Sequence, residues 1–294
     1  MTDTTSITAA TIAPETHMGT AHLKVADLER SVRFYTDVLG FRVLDSQGTD
    51  SAILTADGAT PLLALSVPPD AQPKPPRTTG LYHIAILTPS RAALARTVRR
   101  LAETRYPLGG VADHGVSEAL YLSDPDDNGL EIYRDRPRAE WPYANGALTM
   151  TTDPLDVEAL LAEGLADPRP WDGLEPETRV GHMHLQVSNL DAAVAFYHDV
   201  LGFDLMARYG PSAAFLSAGG YHHHLGLNTW GTRNAPSAPA NAVGLRQFDI
   251  LVPDAAELAR IADRLRDAGI TFEQSADALT VHDPSGNLAR VIVA

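Results

Sequence analysis

A fifteen-residue stretch of this chain occurs twice, and no other feature restricts the fold as much. Asp27 to Phe41, DLERSVRFYTDVLGF, returns 162 residues later as Asn189 to Phe203, NLDAAVAFYHDVLGF. Asp27 and Asn189 are good N-caps, and Val32, Tyr35, Val38 and Leu39 recur at helical spacing. Gly40 and Gly202 suit the residue that follows a helix end. Each copy predicts one short helix. The residues before it alternate as a strand does, with Leu23 and Val25 facing one way and Thr20, His22 and Lys24 the other.

A fainter pair extends the pattern. His83 to Pro89, HIAILTP, resembles Gln247 to Pro253, QFDILVP, at an offset of 164, and a helix containing Leu-Ala-Arg follows each. Both units then reach an Asp-Pro turn, Asp124-Pro125 and Asp283-Pro284, ahead of a last strand. Four modules result, at 18–69, 79–136, 179–230 and 243–294, each reading strand, helix and about three strands. Segments 70–78 and 231–241, rich in Pro, Ala and Asn, read as linkers. The first two modules make an N-terminal domain (18–136) and the last two a C-terminal domain (179–294). Between them, 137–178 contains an acidic helical segment, Pro154 to Gly164.

Residues 1–17 are Thr- and Ala-rich, without Lys, Arg or a continuous apolar core, so they predict a disordered start and not a secretory signal. Lys plus Arg minus Asp plus Glu is 23 − 37 = −14, the wrong sign for nucleic acid or an anionic membrane. With no apolar run near the roughly 18 residues of a membrane span, the expectation is a soluble, cytoplasmic protein. Cysteine is absent, which excludes disulfides and thiolate chemistry and leaves His, Asp and Glu to hold any metal.

Modules of this form, with Phe-Tyr-x-Asp-Val-Leu-Gly-Phe after the first strand, resemble the vicinal oxygen chelate superfamily over nearly the whole chain. Within it the chain looks most like the two-domain extradiol ring-cleaving dioxygenases of the catechol 2,3-dioxygenase type. The resemblance implies an α+β fold in which four βαβββ modules pair into two cup-shaped barrels. It also implies metal ligands on the first and last strands of a module. Isomerases, epimerases and antibiotic-binding proteins use the same cups, so the fold alone does not decide the activity.

Carried onto this sequence, the first-strand positions are Thr20, His83, His182 and Gln247, and the last-strand positions are Glu131 and Arg290. Modules one and three have no acid at the latter place. Two histidines and one carboxylate remain: His83, His182 and Glu131. Such a facial triad leaves coordination positions open and is the usual site of non-haem Fe(II) oxygen chemistry. His184 shares a strand face with His182 and is its alternative. His22 reads as a surface or pocket residue, and His17, His198 and His282 as solvated.

The run from His114 through Leu120-Tyr121 and Asp124-Pro125 to Glu131 is similar to the extradiol signature, with Asp127 where the turn glycine is usual and Ala112 at a position that is also atypical. The run Tyr221-His222-His223-His224-Leu-Gly-Leu-Asn228 resembles the third-module strand that carries the acid/base histidine. Lining up the two runs selects His223, with His224 as its alternative. A row of three histidines also predicts adventitious Ni or Zn binding.

The resemblance thus implies an extradiol dioxygenase that takes a small aromatic diol and O2, with Fe(II) as cofactor and Mn(II) as the alternative metal. His223, His114 and Tyr121 would be catalytic, Asn228 would line the substrate pocket, and the chain would be a homo-oligomer. The competing readings are a hydroquinone-type ring-cleaving enzyme and a metal-free protein that binds a small aromatic or antibiotic. One architectural expectation follows. Because the expected ligands fall in modules two and three, those two would share a cup, leaving modules one and four to form a vacant one; the alternative is consecutive pairing with the triad assembled across a subunit interface.

Overall fold

The structure, a computed structural model, describes residues 11–294. Module one comprises β1 (His17–Lys24), α1 (Leu28–Arg33), β2 (Arg42–Gln47), β3 (Ser51–Thr55) and β4 (Leu63–Ser66). Module two comprises β5 (Gly80–Leu87), α2 (Arg91–Thr104), β6 (Gly110–Asp113), β7 (Ser117–Ser123) and β8 (Gly129–Asp135). The joining segment forms a small hairpin, β9 (Tyr143–Ala144) and β10 (Ala147–Leu148), and a helix, α3 (Val157–Ala166). Module three comprises β11 (Arg179–Gln186), α4 (Leu190–Val194), β12 (Asp204–Tyr209), β13 (Ala213–Ser217) and β14 (Leu225–Asn228). Module four comprises β15 (Gly244–Val252), α5 (Ala255–Asp267), β16 (Glu273–Gln274), β17 (Ala278–His282) and β18 (Leu288–Val293).

The repeated helix forms as its sequence predicts. The side chains of Asp27 and Asn189 accept from the backbone N–H groups of Arg30 and Ala192, satisfying donors that a helix start leaves free. Both helices widen into a π-helical turn, at Phe34–Val38 and Ala195–Val200. The chain then leaves through Gly40 and Gly202 at φ of 85° and 93°, a conformation that glycine adopts without strain. Tyr35 and Tyr197 are fully buried against the sheets.

The modules pair crosswise. One eight-stranded sheet runs β16-β17-β18-β15-β1-β4-β3-β2 and the other β12-β13-β14-β11-β5-β8-β7-β6. Module four thus shares a cup with module one, and module three with module two, as the ligand positions require. In each cup the two first strands lie side by side and antiparallel, β1 with β15 and β5 with β11. A division into domains 18–136 and 179–294 therefore does not describe the cups, since each takes one module from each half of the chain. The linkers explain how: segments 70–78 and 231–241 run alongside each other, bridged at Gln72–Ala242 and Thr79–Ser237, and each carries the chain from one sheet to the other.

Consecutive modules remain locked through their repeated motifs. The Tyr35 hydroxyl donates to Asp124 Oδ2 at 3.0 Å and, in the other half, Tyr197 donates to Asp283 Oδ2 at 3.1 Å. The Phe-Tyr helix of one cup thereby holds the Asp-Pro turn of the other.

Of the start expected to be disordered, residues 1–10 lie outside the described residues and 11–17 are ordered. Ile12 is buried in the core, its N–H donates to the Gly202 carbonyl at 2.8 Å, and β1 begins at His17. Thr16, also buried, and a turn hydrogen bond from its N–H to the Ala13 carbonyl at 3.0 Å further hold this segment. The acidic helix of the joining segment packs on α2. Gly164 allows that approach, because a Cβ there would stand 2.2 Å from the Ala95 carbonyl oxygen. Among the described residues no helix is long and apolar enough to cross a membrane.

Candidate metal centre

The register of three neighbouring strands builds the centre. Ala85 on β5 lies opposite His182 on β11 and, on its other side, opposite Glu131 on β8. His83 stands two residues before Ala85 on the same strand face, and Tyr121 on β7 pairs with Glu131. All of them face the hollow of the cup. Ala85 is small and fully buried, so His182 and Glu131 can lean toward each other above its methyl group. Asp127 takes a φ of 61°, the same left-handed turn that Gly286 makes in module four at 83°. The turn closes despite the missing glycine, and β8 keeps its register.

His83, Glu131 and His182 each place one ligand atom within 4.8 Å of the other two, and all three residues are buried. Glu131 Oε2 lies 3.0 Å from His83 Nε2 and 3.2 Å from His182 Nε2. Three ligands on one face of an octahedral ion, at bond lengths of about 2.1 Å, stand roughly 3.0 Å from one another. The donor set therefore fits a divalent cation. A second observation agrees: His83 Nε2 is buried and makes no hydrogen bond, although the carboxylate is near. A buried polar atom left unpaired is costly unless something else takes it. Among the described residues no other cluster of three such groups converges.

Electrostatics favours the ligating protonation states. Burial pushes the His182 imidazole down to about 4, which keeps it neutral near pH 7. Burial acts to raise the Glu131 carboxyl, but the adjoining His182 and His83 outweigh it and hold the group well below the usual carboxylate range. His184, the alternative ligand, is committed elsewhere. The Asn228 amide donates to its Nε2 at 3.0 Å, and Gly226 leaves room for the ring, since a Cβ there would stand 2.8 Å from it.

Beside the triad is a cavity of about 550 Å³ lined by His83, Glu131, His114, Tyr121 and His223 together with apolar groups such as Val111 and Phe215. His114 Nδ1 donates to the Thr151 carbonyl at 2.7 Å, so its Nε2 is left to accept from the Tyr121 hydroxyl at 2.6 Å. Burial first, and then the Glu131 carboxylate, raise the Tyr121 phenol and keep it protonated.

The three consecutive histidines do not alternate as a strand. Gly219 and Gly220, at φ of 60° and 65°, turn the chain before them, and β14 starts only at Leu225. Of the three, His223 alone reaches the cavity, with its ring 4.1 Å from that of His182. His224 turns away to accept from the Ala218 N–H at 3.2 Å, and His222 is fully buried. Buried and bonded in this way, the run is not an exposed chelating tag, contrary to the expectation of adventitious Ni or Zn. Asn228 is a second correction. Its amide bonds His184 and its carbonyl accepts from the Trp230 N–H, so it positions other residues and does not line the cavity.

Two features have no counterpart in the sequence reading. Asp135 Oδ1 accepts from His222 Nε2 at 2.9 Å, and His222 Nδ1 lies 2.9 Å from His223 Nδ1. The carboxylate fixes the proton of His222 on Nε2, its Nδ1 then accepts, and His223 must carry its proton on Nδ1. The unprotonated nitrogen of His223 is therefore Nε2. Burial holds this imidazole well below its ordinary value, so it is a neutral base near pH 7. The joining segment supplies the other feature: Met150 and Thr152 form part of the cavity wall, and Thr151 orients His114.

The chain matches the family model described as glyoxalase/bleomycin resistance protein/dioxygenase superfamily over residues 17–132 and 179–291. It is 49% identical over 277 residues to a Bacillus subtilis protein named catechol-2,3-dioxygenase, covering 93% of this chain and 95% of that one. It is 30% identical over 138 residues to biphenyl-2,3-diol 1,2-dioxygenase 3 of Rhodococcus globerulus, covering 45% of this chain and 72% of the relative. Among solved structures, glyoxalase I from Zea mays is similar in fold, with a TM-score of 0.55, 16% identity, and 95% and 92% of the two chains covered.

Proposed function

The chain belongs to the glyoxalase/bleomycin resistance protein/dioxygenase superfamily, and we propose that within it the chain is an extradiol dioxygenase of the catechol 2,3-dioxygenase type that uses Fe(II). The observation that carries this reading is the convergence of two histidines and one glutamate beneath a cavity with a neutral histidine on its wall. The relative named catechol-2,3-dioxygenase, aligned over nearly the whole chain, supports the same substrate class, a small aromatic diol.

His83, His182 and Glu131 would hold the ion. Bound there, Fe(II) supplies Lewis acidity toward the diol and redox chemistry toward O2. The remaining work falls to the chain. His223 Nε2 takes a proton from a diol hydroxyl and returns it to the oxygen released when the ring opens. The Tyr121 oxygen, its hydrogen donated to His114, can accept a hydrogen bond from substrate. Apolar walls keep water from the reacting carbons, and the cavity fixes the ring against the O2 site, which replaces a rare collision with a held geometry.

Anaerobic loading with Fe(II), followed by O2 uptake across a panel of catechols and hydroquinones, tests the reading. The expected results are one metal per chain, uptake with catechols, and a coloured ring-opened product whose spectrum identifies the bond cleaved. Uptake with hydroquinones alone would move the chain to the other ring-cleaving class, and absence of metal binding would reduce it to a binding protein. A homo-oligomeric state and a cytoplasmic location complete the proposal and are tested by light scattering and cell fractionation.

A further inference from the structure

The chain contains 21 arginines and only two lysines, Lys24 and Lys74. They are 50 residues apart in sequence, yet both line the same cleft, a cavity of about 500 Å³ whose walls include none of the triad. Its walls come from the ends of β1 and β4, the start of β5, the start of β15 and the two linkers. Arg246 also lines it, and no Asp or Glu does. In a chain of net charge −14 this gathering of cations without a single acid runs against the overall charge.

The three cations are held by neutral groups. Lys24 Nζ donates to the Ala240 carbonyl at 3.0 Å, and Arg246 Nη1 to Ser66 Oγ at 3.4 Å. Lys74 Nζ donates to Gln186 Oε1 at 2.7 Å and to the Leu81 carbonyl at 3.2 Å. Among the described residues none of the three makes an ion pair. An ammonium has three donors, so Lys24 has two to spare and Lys74 has one. The stem of Lys74 lies along Gly80 and Gly244, equivalent positions of modules two and four, where a Cβ would come within 3.4 Å and 3.9 Å of it. Burial lowers the Lys74 ammonium to about 8, and burial followed by the nearby Arg246 charge lowers Lys24. Like charges gathered in a partly buried cleft, with donors unspent, are stabilised by an anion in their midst.

We propose that this cleft is a binding site for a small organic oxyanion, carboxylate- or phosphate-bearing, held by Lys24, Lys74 and Arg246. Apolar residues on the same walls, Pro68, Leu81 and Val243 among them, suit the carbon frame of such a ligand. The site does not depend on the reaction at the metal centre.

Because the chain has two lysines, an amine-selective acylating reagent reports directly on the cleft. The full chain is acylated in inorganic phosphate, in succinate, or in sodium chloride of equal ionic strength, and acylation of Lys24 and Lys74 is followed by peptide mass spectrometry. Protection of both by phosphate or by succinate, but not by chloride, is expected, and the anion that protects names the source chemistry. Calorimetric affinity for that anion should fall about tenfold or more in Lys24→Met and in Lys74→Met, the scale of a charge-assisted hydrogen bond. Equal labelling in all three salts would overturn the proposal. So would protection that disappears when the triad is removed in His83→Ala, since the anion would then be acting from the metal centre. The wild-type labelling stands even if a lysine variant fails to fold.

Discussion

Replacing Ala85 with Leu should abolish high-affinity metal binding while leaving the chain folded. Ala85 is the register partner of both His182 and Glu131, on strands either side of β5. Adjacent strands are about 4.8 Å apart, so the backbones carrying those two ligands are separated by roughly 10 Å. Their ligand atoms nevertheless approach to 3.2 Å. The two side chains can close that gap only by leaning over position 85, where an alanine methyl group leaves the space free. A leucine there adds three carbons to the volume in which the ligand atoms meet. Overpacking of a tight interior costs about 1–3 kcal/mol, within the stability of an ordinary domain. The ligand geometry has no such reserve, because displacing even an outer support of a metal site typically costs about 10- to 100-fold in affinity. Ala85→Leu moves two ligands at once, so a loss of at least about 100-fold is expected on the same basis. Competition with a calibrated chelator measures the affinity, and thermal melts with and without metal show that the variant folds and has lost its metal-dependent stabilisation. Ala85→Ser, nearly isosteric, should keep both. Wild-type affinity in Ala85→Leu would refute the claim that the triad closes over this residue.

His223→Phe should retain metal and bind a diol while kcat falls about 10²- to 10⁴-fold, the usual scale of acid/base contributions; loss of metal would make His223 a ligand, and unchanged kcat would refute its acid/base role. Asp135→Leu removes the group that sets the tautomer of His222 and through it that of His223. It should lower kcat about 10- to 100-fold with KM little changed and displace the acidic limb of the pH–rate profile, which a purely structural loss would not move. Acid should destabilise the metal-free protein through His182. This imidazole is lowered from 6.5 to about 4 in the folded chain, so the unfolded state binds the extra proton between those values and stability falls as pH drops from about 6.5 toward 4. The shift corresponds to about 3 kcal/mol, readable by denaturant titration at three pH values, and a flat profile over that window would refute it.

What could be read from the sequence was whatever repeats or follows from register. The two repeats place four modules, and once Glu131, His83 and His182 are assigned to modules two and three, only crosswise pairing brings them together within one chain. His223 was favoured over His224 only by lining its run up with the family's, and it took the structure to show that His223 alone of the two reaches the cavity. The losses share a different cause. Strand alternation says which way Asn228 points but not that His184 takes its amide. Asp135 ends β8, and nothing near it in sequence announces that His222, 87 residues later, will meet it. Met150 to Thr152 lie in the one segment without a repeat partner, where there is no periodicity to argue from.

The cup without the His-Glu-His cluster still takes part in building the one that has it. At its equivalent positions the Thr20 hydroxyl donates to the Pro61 carbonyl at 3.2 Å, and the Gln247 amide donates to Asp249 at 3.4 Å. Arg290 faces Asp249 across paired strands. At those three positions a cation would meet a hydroxyl, an amide and a guanidinium where the other cup has two histidines and a carboxylate. Its repeated helix nevertheless carries Tyr35, whose hydroxyl donates to Asp124, and Asp124 in turn holds the backbone N–H of Asn128 at 2.9 Å, three residues before Glu131. Asp126 of the same turn accepts from the Ala26 N–H at 3.0 Å, just ahead of the repeated helix. The turn that leads to Glu131 is thus anchored on the other cup. Crosswise pairing separates the two tasks, ligation in modules two and three and support of the ligand turn from module one. A cup without the cluster therefore still contributes its helix to the cup that has it.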